Sequence, residues 1–272
     1  MEAKSRQSGL TLTEIVVVIA IIAMLVGLGV PAGRAFLNSF ETESGTRSMI
    51  SAALASARAI AAKEQRYAGI RFQKAYDPTG LLKAPQYMIF IVHDPEPKPN
   101  GTGLANGFRA EEGLKPIKLP DSIGVMDLRY RTSADPGYAG DELIDSDDEM
   151  NTPKALSDTT TFSVVFSPSG KMVIHDVRVR NRNGKTDDSS EDDVFNTLIK
   201  ITDPINPAGM FIQDDDTSLG LGQESSRSRF IIYEKGKFRR AYERGMAWSD
   251  YLWKLIPDTI YINPYTGTMI ER

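Results

Sequence analysis

The sequence predicts an α+β protein in which a long N-terminal helix precedes a head built on a mainly antiparallel β-sheet. Three observations lead to this prediction. Residues 15–30 are uncharged and are followed by Pro31, residues 35–63 carry apolar side chains at helical spacing, and short apolar runs separated by turn sequences follow residue 66. A helical period that gives way to strand-length runs favours segregated helix and sheet over alternating units.

The apolar segment reaches membrane-spanning length only with the residues before it. Its sixteen residues would rise about 24 Å as a helix, which is short of a hydrocarbon core of about 30 Å. Residues 10–13 supply the missing length, and Glu14 then becomes the single charge inside the segment. A carboxylate at that depth costs roughly 2.5–3.5 kcal/mol unless another group pairs with it. The pattern predicts a membrane-spanning first half of the helix, in which the Glu14 carboxylate requires a neutralising group.

Three interpretations of this segment compete. A secretory signal would be cut after the apolar run, which leaves the acidic residue at its start unexplained. A plain single-pass anchor explains the hydrophobicity and again leaves Glu14 unexplained. Cleavage between Gly9 and Leu10 would create a new α-amino group four residues before Glu14. In an assembly, that amino group could neutralise the Glu14 carboxylate of a neighbouring copy.

The segment resembles the N-terminus of type IV pilins and pseudopilins. The resemblance is carried by a basic leader with Lys4 and Arg6, by Gly9, by Thr11-Leu12-Thr13-Glu14, by the aliphatic run and by Pro31. Leu10 departs from the Phe that is usual at the first mature position of that family. The resemblance implies that a prepilin peptidase cleaves after Gly9 and methylates Leu10, and that Glu14 and Pro31 serve assembly.

The same resemblance implies a structural subunit and not an enzyme. Its implied partners are other pilin or pseudopilin subunits, a prepilin peptidase, an inner-membrane assembly platform and membrane lipid. The implied location is the inner membrane, with one span and the head in the periplasm or another extracytoplasmic space. The Ala-rich helix, the strand that follows it at once and the later turn at residues 167–170 are similar to the GspH/FimT branch of minor pseudopilins. Service in type II secretion and service in a type IV pilus both stay open.

Three regions are expected from these observations: a cleaved leader at residues 1–9, an assembly helix at 10–63 and a β-rich head at 64–272 with long acidic loops. Strands are predicted at residues 67–72, 87–92, 117–119, 123–130, 161–166 and 198–202. Hairpins are predicted at 161–179, at 229–240 and at 259–270, and a short helix within 241–256. Residues 132–158 are acidic and are expected to form an exposed excursion.

Composition narrows the function. The 272 residues carry a net charge of −4, which argues against a general nucleic-acid binder. The absence of cysteine excludes thiol catalysis and cysteine metal sites. The only two histidines, His93 and His175, have no partner at a catalytic or ligand spacing. No cofactor is therefore predicted, and the rival to a structural subunit is a membrane-anchored head that binds a ligand or acts as an enzyme.

Two further groups of residues have alternative interpretations. Asp145, Asp147 and Glu149 recur at every second residue and are weak calcium candidates. They lack the glycine that a closed calcium loop places at its sharp turn, so a solvated acidic loop is favoured, as it is for the carboxylates at 187–193. Aromatic residues gather near the C-terminus, namely Trp248, Tyr251, Trp253, Tyr261 and Tyr265. Packing on the sheet is favoured for them over contact with a neighbouring subunit.

Overall fold

The computed structural model of the protein describes residues 13, 15–19, 21, 22, 24, 43–94, 107–131, 141–144, 150–183, 190–214 and 222–270. Its elements in chain order are α1 (Glu43–Glu64), β1 (Ala68–Lys74), β2 (Gln86–His93), β3 (Gly107–Ala110), β4 (Ile117–Lys118), β5 (Ile123–Met126), β6 (Arg129–Arg131), β7 (Asp141–Leu143), α2 (Pro153–Thr160), β8 (Phe162–Phe166), β9 (Met172–Val173), β10 (Asp176–Val179), β11 (Phe195–Asn196), α3 (Leu198–Ile201), β12 (Phe211–Ile212), β13 (Glu224–Ser225), β14 (Arg229–Glu234), α4 (Lys235–Glu243), α5 (Ala247–Asp250), a 3₁₀-helix (Leu252–Asp258), β15 (Ile260–Ile262) and β16 (Met269–Ile270).

The principal sheet has strand order β13-β10-β3-β2-β1-β8-β9, and β4 adds to the end of β2. Its pairs are antiparallel except for β3 with β10, which run parallel. A second antiparallel sheet has the order β16-β15-β14-β5, while β11 and β12 form a parallel pair and β6 and β7 an antiparallel one. The head is therefore α+β with a mixed, curled sheet. Its pairing is mainly antiparallel, as predicted, and the parallel pairs are β3 with β10 and β11 with β12.

Helix α1 packs against the principal sheet through one narrow face. Its buried residues recur at intervals of three and four: Thr46, Ile50, Ala53, Leu54, Ala57 and Ala61. Because three of these side chains are methyl groups, the helix axis can approach β1, β2 and β8 closely. The predicted second half of the long helix is confirmed over this range.

The strands divide their side chains between two cores. On β1, Ile70 and Phe72 face α1, and on β8, Phe162 and Phe166 do the same. The opposite face carries Ile89, Phe108 and Val165, which form a core with Phe195 and Phe211 of the chain from 190 to 214. A third core, with Met126, Leu156, Tyr233, Phe238 and Leu252, lies under α4 and α5. The α1-facing core thus joins the helix to both sheets.

Several predicted elements are wrong, and each has a physical reason. Residues 237–240 belong to α4 and not to a hairpin, because Phe238 and Ala241 are buried three positions apart at helical spacing. The strand predicted at 198–202 is instead α3, Leu198–Ile201, whose first turn is capped by the Thr197 hydroxyl. The 161–179 hairpin ends at Val173, after which β10 leaves to pair with β3.

The acidic excursion is also corrected in part. Within residues 132–158, Ile144, Met150 and Leu156 are buried in the third core, and β7 pairs with β6. Helix α2 begins at Pro153 after Thr152, whose hydroxyl accepts a hydrogen bond from the Ala155 amide. A proline at the first helical position and a threonine cap make this a favourable helix start.

The first half of the predicted long helix lies mostly outside the described residues. Residues 15–19, 21, 22 and 24 have helical backbone. No helix within the described ranges is both long and apolar enough to cross a membrane. The division at residues 9 and 63 stays a prediction.

Candidate functional site

The predicted processing and assembly residues, Gly9, Leu10, Glu14 and Pro31, lie outside the described residues. The calcium candidates Asp145, Asp147 and Glu149 lie outside them as well. Within the described ranges, no three histidine, aspartate or glutamate side chains come together in a group that could hold a metal ion. The features of the described residues that concern function are the uncovered face of α1 and the surfaces of the head beside its first and last turns.

The described apolar residues before α1 are exposed. Ile15, Ile19 and Ile22 are 47–60% exposed, and Met24 is 66% exposed. Their backbone is helical. Large aliphatic side chains left in water in this number need a covering surface, such as lipid or neighbouring apolar helices.

Helix α1 has a second face that the head does not cover. Its outward residues are small: Ser48, Ser51, Ala52, Ala55, Ser56, Ala59 and Ala62 are all exposed. The alanines predicted to allow close approach are thus split between the two faces, with Ala53, Ala57 and Ala61 toward the sheet. A face of methyl and hydroxymethyl groups leaves room for another helix at short distance.

A cleft of about 690 Å³ opens beside the first turn of α1. The start of β5 and the first turns of α4 complete its wall. The cleft is lined by five cationic side chains and three carboxylates. The cations are Lys83, Lys235, Lys237, Arg239 and Arg240, and the carboxylates are Glu43, Asp121 and Glu234. Cations outnumber carboxylates, so the cleft favours an anionic occupant.

The carboxylates of this cleft are already engaged. Glu43 pairs with Arg47 at 2.5 Å, Asp121 with Lys118 at 2.7 Å and Glu234 with Lys237 at 2.6 Å. Among the described residues, no carboxylate lies within ion-pair distance of Lys83, Lys235 or Arg240. The local positive charge is therefore not cancelled.

Two lysines near the cleft are pushed toward their neutral forms. Burial lowers the pKa of Lys235 to about 8, against the opposing effect of Asp121. Burial, together with the charge of Lys235, lowers the pKa of Lys74 to about 7. The Lys74 ammonium donates a hydrogen bond of 2.6 Å to the Leu81 carbonyl. An anion in the cleft would relieve the repulsion between these cations.

The two histidines lie beside the C-terminal end of α1, although they are far apart in the sequence. Tyr67 follows the helix, and its ring centroid lies 4.4 Å from that of His175. The His93 and His175 rings are 5.5 Å apart, and burial, followed by the charge of His175, lowers the pKa of His93. The β2–β3–β10 pairing brings them together, which sequence spacing could not reveal. No described carboxylate completes a metal site with them.

A buried ion cluster lies on the face of the principal sheet away from α1. The Arg71 guanidinium pairs with Asp214 and, at 3.0 Å, with Glu224, and it donates a hydrogen bond of 2.7 Å to the Gln73 side chain. All three charged side chains are at most 1% exposed. The cluster ties the chain around residue 214 and β13 to β1, and sequence reasoning missed it because its carboxylates lie far along the chain.

Comparison with known proteins decides the nature of the N-terminal segment. Residues 4–30 match the prokaryotic N-terminal methylation motif. No curated protein and no solved structure matches the chain.

The N-terminal methylation motif identifies a type IV pilin-like prepilin signal, and with it a substrate of prepilin peptidase. It covers Gly9, Leu10 and Glu14 and ends one residue before Pro31. It also indicates association with a membrane. The exposed apolar residues 15–19, 21, 22 and 24 lie inside this motif, which accounts for their need of a covering surface.

The aromatic residues near the C-terminus divide between packing and exposure. Trp248 and Tyr251 pack against the third core. Trp253 is 52% exposed and Tyr265 is 69% exposed. The predicted packing onto the head is therefore confirmed for the first two, while the last two remain available to a partner surface.

Proposed function

We propose that this protein is a minor pseudopilin or minor pilin, a structural subunit of a type II secretion or type IV pilus filament. In this proposal a prepilin peptidase cleaves after Gly9 and methylates Leu10, and the head has no catalytic role. The observation that carries the proposal is the methylation motif at residues 4–30. The GspH/FimT branch is the proposed affiliation, on the resemblance of the Ala-rich helix and the strand that follows it.

The structure supports this proposal through α1. One face of the helix is committed to the head by Ile50, Leu54 and Ala57, and the outward face of small residues stays uncovered. A filament subunit needs both properties, because its helix must hold its own head and also lie against the helices of neighbouring subunits. A plain tether would need only the first of them.

Processing provides the test. The full chain is expressed with an active prepilin peptidase, extracted from membranes and weighed intact. The expected mass is that of a chain beginning at Leu10 with one added methyl group. Gly9→Val should block cleavage, because a branched side chain enters a site that accepts glycine. Recovery of the uncleaved parent chain in the presence of the active peptidase would contradict the proposal.

A second candidate function, an anchored head that binds a ligand, is favoured by one cavity. A pocket of about 320 Å³ is walled by Leu128, Phe230 and Trp248, and Asp127 reaches its edge. Burial raises the pKa of Asp127 to about 6, although the Arg227 guanidinium opposes this. Largely apolar walls with a few polar groups, here Asp127, Arg229, Thr259 and Tyr261, are typical of small-molecule sites. Leu128 is a half-buried wall residue outside the α1-facing core, so Leu128→Trp should fill the pocket. Loss of ligand binding with filament partners retained in that variant would favour the second candidate.

A further inference from the structure

The C-terminal helical layer of the head presents a continuous basic face. We define this basic face by six exposed or half-buried cations: Lys235, Lys237, Arg239, Arg240, Arg244 and Lys254. Two adjoining depressions share Lys237 and Arg240, so the charges form one surface and not two separate patches. Three carboxylates lie among them, at Glu234, Glu243 and Asp250. The face is thus net positive in a chain whose overall charge is −4.

The position of this face relative to α1 is informative. Glu43, the first residue of α1, lines the same cleft as Lys235 and Arg240. Helix α1 then runs 22 residues to Glu64, a rise of about 33 Å. In the other direction only residues 31–42 separate Glu43 from the apolar segment 15–30. The basic face therefore lies at the end of the head from which the chain leads back to the apolar segment.

Exposed apolar side chains accompany the cations. Met246, just before α5, and Trp253 and Ile256, on the 3₁₀-helix, are 42–52% exposed. Trp253 is the immediate neighbour of Lys254. Lysine and arginine beside exposed tryptophan and aliphatic side chains are the composition of surfaces that rest in the headgroup region of a bilayer.

We propose that the basic face docks the head onto an anionic phospholipid surface, with lipid phosphates in the cleft at Lys235 and Arg240. The proposal rests on the proposed function, since it takes residues 15–30 as the membrane-embedded segment. It adds a second membrane contact, made by the folded head, that holds α1 in a set orientation before assembly. Departure of a subunit from the membrane then requires this contact to open.

A lipid surface fits the observations better than an acidic protein segment. The face borders the chain that leads to the apolar segment, so a bilayer that holds this segment is already close to it. Phosphate groups would be met by Lys83, Lys235 and Arg240, none of which forms an ion pair at contact distance with a carboxylate of the described residues. The exposed Trp253, next to Lys254 in the sequence, is of the side-chain type that the headgroup level of a membrane favours.

Tryptophan fluorescence of the full chain tests the proposal. The only two tryptophans, Trp248 and Trp253, both lie in this layer. The full-length protein is reconstituted into vesicles of phosphatidylcholine alone and of phosphatidylcholine with phosphatidylglycerol, each with a trace of dansyl-labelled headgroups. Energy transfer from tryptophan to dansyl should be stronger on the anionic vesicles. It should fall to the zwitterionic level in about 1 M NaCl, where the Debye length is about 3 Å.

Two variants and a matched control separate docking from anchoring. Arg240→Glu with Lys254→Glu should abolish the extra energy transfer. Arg240→Gln with Lys254→Gln should shift the docking equilibrium about 25-fold, since each cation near an anionic surface contributes on the order of fivefold. The control is Lys63→Glu with Lys115→Glu, which makes the same charge change at exposed positions, with Lys63 in the last turn of α1. The control should transfer energy as the parent does.

Each outcome decides the proposal. Equal energy transfer on both kinds of vesicle, or full transfer in Arg240→Glu with Lys254→Glu, would overturn it. A chain whose basic face instead binds a soluble acidic peptide with no lipid dependence would overturn it as well. Processing at Gly9 is measured separately by intact mass. A chain that docks on anionic lipid but is never cleaved would contradict the proposed function alone, and a cleaved chain that fails to dock would contradict this proposal alone.

Discussion

Arg71 and Glu224 are 153 positions apart in the sequence, and their side chains form an ion pair of 3.0 Å from which solvent is excluded. Asp214 pairs with the same guanidinium, and the Ser163 hydroxyl donates a hydrogen bond of 2.8 Å to Glu224. Two carboxylates thus share one guanidinium inside the head. The Val179 amide donates a further hydrogen bond of 2.7 Å to Asp214, and Arg71 adds the ion pairs that help to offset the desolvation of both carboxylates.

Arg71→Met should therefore be strongly destabilising. We expect a loss of about 3–5 kcal/mol in the free energy of unfolding, because two buried carboxylates lose the guanidinium with which both form ion pairs. Urea denaturation of the head fragment 38–272 measures it. Arg239→Met is the matched control, since that side chain is half exposed and its pair with Glu243 is 3.9 Å long, and it should cost about 0.5 kcal/mol or less. A loss at Arg71 as small as at Arg239 would refute the argument.

The fragment itself carries a prediction. The three cores of the described chain lie between Ile50 and Ile262, so residues 38–272 contain the buried apolar side chains described here. We expect this fragment to be a soluble monomer that unfolds in one cooperative transition. Sedimentation and thermal melting measure both properties. Aggregation without a thermal transition would count against an independent head.

Two glycines should respond in opposite ways to the same substitution. A Cβ at Gly69 would lie 2.2 Å from the Val164 carbonyl oxygen, on the neighbouring strand β8. Gly69→Ala should lower the free energy of unfolding by about 2–3 kcal/mol or more, because backbone must move. At Gly236, within α4, a Cβ would meet nothing within 4 Å. Gly236→Ala should be neutral or stabilising by up to about 1 kcal/mol. Similar effects at both sites would contradict the close approach of β8 to Gly69.

Lys74 should make the stability of the head depend on pH. Its pKa is about 7 in the folded head and near its ordinary 10.5 when unfolded. Between these values the unfolded state binds more protons, so the free energy of unfolding should rise with pH, by at most about 1.4 kcal/mol per unit.

Urea titrations of the head at pH 7, 8 and 9 test this dependence. Lys74→Met removes the titrating group, so its stability should rise less steeply than that of the parent. Lys235, with a pKa of about 8, has the same effect on stability and remains in the variant. Its contribution is smallest below pH 8, so the ratio of the parent's slope to the variant's slope should be largest between pH 7 and 8. Identical slopes for the two proteins would contradict the prediction.

Glu14 should be needed for assembly and not for insertion or cleavage. Its charge is costly in a lone membrane helix, and the α-amino group of a neighbouring cleaved subunit would offset that cost. Glu14→Ala should be cleaved normally yet fail to co-purify with other pilin-like subunits from detergent-solubilised envelopes. Glu14→Asp should be partly defective, because its carboxylate is held about one methylene further back. Assembly of Glu14→Ala at the parental level would favour a simple anchor.

Local patterns in the sequence were sufficient to predict the N-terminal signal, helix α1 and the central strands of the principal sheet. The uncharged run at 15–30, the basic leader and Gly9 predicted the N-terminal signal, and the motif at residues 4–30 confirms its class. Helical spacing predicted α1, and apolar runs predicted β1, β2 and β8, because hydrophobic period and turn residues act over a few positions. The proposed function rests on this N-terminal segment.

Only the tertiary structure decided which distant residues meet. Strand order brings the partners of Arg71 together, places His93 beside His175 and pairs β10 in parallel with β3. Short-range periodicity in the sequence carries no information on strand order. Helix α4 was mistaken for a strand because its cations hide the spacing of Phe238 and Ala241, and only packing against the third core reveals it. The basic face exists for the same reason: its charges are scattered from 235 to 254, and the fold gathers them beside the first residue of α1.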